Sequence, residues 1–197
     1  MKRILILIAM VAATPALAAQ GTDPTWPCIQ RKQPHLSMGQ LWTGPVPDDA
    51  TVELARDPRI AALADRLEQR RLPMEEAEAE IAAFAQEADN TRLTALMQAI
   101  FDRIESRRGT LIAGIARYGQ KQVDLSKMIE ERRSRMAGME AAGDPDFDAM
   151  DAEEKALDWD ERIFIERQQS LTYVCETPVI LEQRAFALAR AIASHLD

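Results

Sequence analysis

The chain has 197 residues, 47% hydrophobic and 28% charged, with a formal net charge of -8 at pH 7. That length suits one ordinary domain with a real core. The acidic balance argues against nonspecific binding to nucleic acid or to anionic membranes, and the scarcity of glycine and aromatics favours long helices over sheets.

Met1-Lys2-Arg3, the apolar run Ile4–Ala13 and the small residues Ala16-Leu17-Ala18-Ala19 form a secretory signal peptide over residues 1–19. Removing its two cations takes the formal charge from -8 to -10. The run is too short to span a bilayer, and Thr25-Trp26-Pro27 before Cys28 is no lipobox, so no stable membrane anchor is expected. The expected location is the periplasm. Cys28 and Cys175 survive processing, and in an oxidising compartment such a pair reads as one disulfide. Closing so long a loop contributes up to about 5 kcal/mol in the chain-entropy account. Neither Cys-x-x-Cys nor Cys-x-x-Cys-His occurs, which argues against a thioredoxin-type centre and against covalent haem.

Residues 20–47 hold Pro24, Pro27, Pro34, Pro45 and Pro47 with Trp26 and Trp42. Prolines this dense forbid a helix, while the indoles need an apolar surface. The expectation is an extended arm laid over a helical body and pinned at Cys28. Trp26 and Trp42 are its candidate partner-binding residues.

Residues 48–197 read as a single all-α domain. Asp57-Pro58 is a helix start, with an N-cap carboxylate and proline at the first helical position. Ile60, Leu63, Ala64 and Leu67 then line one face. Pro73 ends that element and opens another, whose first turn carries Glu75 and Glu76 and whose stripe is Ile81, Phe84 and Ala88. From Leu93 the residues Met97, Ile104, Leu111, Tyr118, Leu125 and Met139 fall on one heptad position. Phe101, Ile115, Ile129 and Met136 fall on the other. Arg108, Gln122 and Arg132 interrupt this seam. Gly109 and Gly114 are weak points at which a helix over 93–139 could kink or divide, so the sequence leaves open one rod or two. Ala141-Ala142-Gly143-Asp144-Pro145 predicts a stop, with Gly143 in a left-handed cap.

Met150, Leu157, Phe164 and Leu171 carry a second heptad series. Folding it back about Gly143 sets residues whose numbers sum to roughly 287 against each other. Lys121 then lies near Glu166, Lys127 near Asp160, and Arg132 and Arg133 near Glu153 and Glu154. Thr177-Pro178 predicts the start of a last, well-buried helix with Leu181, Ala185, Phe186, Leu188, Ala189 and Ile192 on its apolar surface. The predicted architecture is a helical bundle (57–107 and 178–195) with a long antiparallel coiled-coil-like hairpin at 111–174 and an extended Pro/Trp-rich N-terminal arm.

Asp144, Asp146 and Asp148 match a calcium loop at positions one, three and five, with Asp151 a further candidate ligand, but Ala149 and Lys155 stand where glycine and a bidentate glutamate are needed. Met136, Met139 and Met150 offer thioether ligands for copper at the same hairpin tip, although methionines on apolar stripes also fill cores. Metal binding there is the alternative function. Only two histidines exist, and no zinc spacing, nucleophile elbow or phosphate loop occurs. The leading expectation is a non-enzymatic protein without a cofactor, an adaptor, assembly factor or chaperone-like module that binds a protein partner. Self-association through the seam is a further possibility.

Overall fold

The computed structural model describes Asp23 and residues 25–197. The signal-peptide reading of residues 1–19 lies outside them. The described residues hold six helices and no strand: α1 (Met38–Leu41), α2 (Asp49–Leu54), α3 (Pro58–Leu67), α4 (Met74–Ala85), α5 (Asn90–Glu140) and α6 (Phe147–Ala193). Four starts are written by aspartates that accept from an orphan backbone N–H: Asp48 from Thr51, Asp57 from Arg59, Asp89 from Arg92 and Asp146 from Ala149. Pro73 opens α4 as expected, with Glu75 and Glu76 in the first turn.

α5 and α6 pack against each other as the hairpin. At 51 residues α5 is about 75 Å long, and it runs unbroken through Gly109 and Gly114. α6 is also continuous, so the expected restart at Pro178 does not occur. Pro178 is buried inside the helix, on the heptad line 150, 157, 164, 171, and its position in packed surroundings offsets the lost i→i−4 bond. The tip differs too. No glycine among the described residues has positive φ, and α5 ends on Ala141 in right-handed geometry instead of at a Gly143 cap.

The register follows the folded-back expectation to within about one heptad. Arg132 bonds Asp160 at 2.7 Å and Glu153 at 3.2 Å, Arg133 bonds Glu161 at 2.6 Å, Arg135 bonds Glu153 at 2.8 Å, and Arg108 reaches Glu182 at 2.6 Å. The Arg132–Glu153 pairing matches; Asp160 takes Arg132 in place of Lys127, and Arg133 takes Glu161. No ion pair joins Lys121 to Glu166 among the described residues.

The main core sits at the open end of the hairpin. Leu67, Ile81, Leu93, Leu96, Met97, Ile100 and Ile104 pack with Leu181, Leu188 and Ile192, all essentially solvent-free. Phe186, expected on the apolar surface, is 43% exposed. Beyond this base, among the described residues, the two helices pack on each other and on the arm, with Ile112, Ile115, Leu125, Ile129 and Leu171 carrying the buried seam.

Candidate functional site

The arm crosses the hairpin just above the base. Cys28 and Cys175 form the disulfide, which fastens the arm to α6. Gln30 Nε2 donates to the Cys175 carbonyl at 2.7 Å, one residue from the Val174 carbonyl that Pro178 leaves without its helical donor. Arg108, 1% exposed, donates to the Gln33 carbonyl and to Glu182, bonding the arm to both long helices. At Gly119 the arm passes so close that an added Cβ would collide with the Thr25 carbonyl and lie 2.9 Å from Pro27 Cδ. Only glycine permits this crossing.

The two arm tryptophans part company. Trp42 is 6% exposed and belongs to the core, with its indole N–H donating to the Pro45 carbonyl at 2.8 Å. The apolar area of this candidate partner-binding residue is covered within the chain. Trp26 is half-buried; its N–H donates to the Gln30 carbonyl at 2.7 Å and Lys32 stands over its ring. Lys32 also pairs with Asp23 at 2.7 Å. That bond, with Thr25, holds the Asp23 carboxyl down to about 2.

Beside the disulfide a cleft of about 750 Å³ opens between arm and hairpin. Its walls are mainly apolar, from Pro27, Ile29, Phe164, Leu171 and the disulfide itself, with Glu176 among the lining residues. Gln122 closes it from α5. This side chain is 8% exposed, and its Nε2 donates to the Phe164 carbonyl at 3.1 Å while its Oε1 has no partner. In the sequence Gln122 and Arg108 stood out only as polar breaks in the seam. A polar residue at a seam position is the signal that could have marked them as structural or functional.

A second surface is the outward side of α6. Phe147, Trp159, Ile165 and Tyr173 are 74%, 59%, 54% and 77% exposed. Most expected seam residues of the distal hairpin, Tyr118, Met136, Met139, Met150, Leu157 and Phe164, are half-buried.

At the tip, Asp146 caps α6 and Asp151 pairs with Lys155 at 2.5 Å, while Asp144 and Asp148 face solvent. No group of three or more His, Cys, Asp or Glu side chains that could hold a metal ion occurs among the described residues. Met136, Met139 and Met150 are half-buried on the hairpin.

No family model, curated protein or solved structure matches this chain. No described helix is long and apolar enough to cross a membrane.

Proposed function

We propose that this is an exported, non-enzymatic interaction protein, an adaptor, assembly factor or chaperone-like module of the periplasm, that grips a protein partner with its long hairpin. The observation that carries the reading is the exposed aromatic and aliphatic set on α6, Phe147, Trp159, Ile165 and Tyr173. Single exposed apolar residues are ordinary. Here large ones recur along a helix whose opposite side is occupied, and Trp and Tyr are the side chains that most often anchor interfaces. Recognition would be helix against helix or helix in groove. Export is supported by the leader in the sequence and by the Cys28–Cys175 bond, which suits an oxidising compartment.

The test is site-specific photo-crosslinking in the native periplasm, with the reactive residue placed at Trp159 or Tyr173 and a control placement at Glu78 on α4. One reproducible adduct from the α6 positions alone supports an adaptor, and many client adducts a chaperone. An adduct of twice the chain's mass identifies a second copy as the partner. Free monomer only, at both α6 positions, refutes the reading.

A further inference from the structure

The cleft beside the disulfide points to a ligand of different character from a protein partner. We infer that it is a binding site for a small neutral or cationic amphiphile, with an apolar body and one N–H or O–H donor that bonds Gln122 Oε1. This does not rest on the protein-interaction reading.

Four observations converge. First, the Gln122 carboxamide has a fixed orientation, because only its NH₂ can face the Phe164 carbonyl at 3.1 Å. Its Oε1 is therefore the atom left over, buried and without a partner in a side chain that lines the cleft. Buried acceptors are normally satisfied, so this oxygen calls for a donor from the cleft side. Second, the volume of about 750 Å³ lies within the roughly 300–1,000 Å³ usual for small-molecule sites. Third, the walls are mainly apolar, with Gln30, Gln122, Gln168 and Thr172 as neutral polar residues among them, and a few polar groups on apolar walls are how such sites orient a ligand. Fourth, among the described residues no lysine or arginine lines the cleft and Glu176 does, so an anionic head would meet no counter-charge there and a like one. The arm wall is fastened by the disulfide and by Gln30 on the Cys175 carbonyl, so the site stands formed before a ligand enters.

The probe is N-phenyl-1-naphthylamine, neutral, apolar and carrying one N–H, titrated by fluorescence into the oxidised chain without its leader. Saturable binding of one probe per chain is expected. 1-Phenoxynaphthalene has the same shape without the N–H, and should compete roughly fivefold more weakly, as one net hydrogen bond implies. 8-Anilino-1-naphthalenesulfonate, the anionic analogue, should bind more weakly still.

Gln122→Leu should erase the amine–ether difference. Thr172→Trp, at an exposed cleft residue, should abolish probe binding with helicity and melting temperature unchanged. Equal wild-type affinities for amine and ether overturn the inference, as do unsaturable binding, preference for the sulfonate, or undiminished binding by Thr172→Trp. If Gln122→Leu does not fold, the amine–ether comparison on the wild type and Thr172→Trp still decide.

Discussion

Arg184 is a cation buried without a carboxylate. It is 9% exposed, and its guanidinium donates to the Leu67 carbonyl at 2.8 and 2.6 Å and to the Leu72 carbonyl at 2.7 Å. Burial pulls its pKa down. The carbonyls compensate, because Leu67 ends α3, where the helix dipole is negative. Arg184→Leu would strand both oxygens and should lower unfolding free energy by about 3 kcal/mol in urea titration. Arg184→Lys, which lacks the planar fork, should fall in between. Gly119 makes an opposite case. Alanine is favoured over glycine within a helix by up to about 1 kcal/mol, and Gly138, where a methyl would stand in open space, should show that gain as Gly138→Ala. Gly119→Ala should instead lower the melting temperature and speed proteolysis of the arm, because the methyl would displace the Thr25 backbone. A rise at both positions would show that the arm does not press on α5.

At the scale of elements, ion pairs of Arg132, Arg133 and Arg135 flank the apolar seam in the hairpin's distal half. Burial opposes ionisation of Glu153, but the Arg135 and Arg132 guanidiniums outweigh it and hold the carboxyl below its ordinary value. A depressed carboxylate stabilises in full above its unfolded value of about 4.5, and that contribution is lost as pH falls through the lower folded value. Amide exchange, corrected for intrinsic rates, should therefore show the tip loosening as pH falls below that ordinary 4.5 while the base stays protected. The Asp23–Lys32 clasp should persist further, until pH nears 2, with Trp26 emission as its reporter. The heptads at Met97 to Met139 and Met150 to Leu171 made this hairpin legible in the sequence, because a sustained apolar seam has few other solutions. Its details were less legible. Ile112 and Gly119 are buried where Leu111 and Tyr118 were expected, since a straight helix of 3.6 residues per turn drifts from a strict repeat of seven. Pro178 read as a boundary because its local cost is visible in the sequence, whereas the tertiary packing that outweighs it is not. The cleft was invisible, because Gln122 gains meaning only when Cys28, Phe164 and Leu171 are brought beside it.

For the molecule as a whole, the Cys28–Cys175 bond closes a loop with a sequence separation of 147, joining the arm to a point near the chain's end. Its chain-entropy contribution reaches about 5 kcal/mol if the reduced, unfolded chain is a free coil. Residual structure in that chain shrinks the figure, and a hairpin rich in local helix is a strong source of such structure. The bond also acts locally, since the arm has further holds on the body through Arg108 on the Gln33 carbonyl, Gln30 on the Cys175 carbonyl and Trp42 in the core. Replacing both cysteines by serine should therefore lower the urea midpoint while leaving Trp42 buried in the native baseline. The arm segment between Thr25 and Gln30 should become protease-sensitive, and N-phenyl-1-naphthylamine binding should weaken because one wall of the cleft is no longer fastened. An unchanged midpoint with intact arm protection would mean that the noncovalent holds suffice and that the disulfide contributes little beyond them. A lowered midpoint with intact protection would place its effect in the unfolded chain, as the loop-entropy account requires.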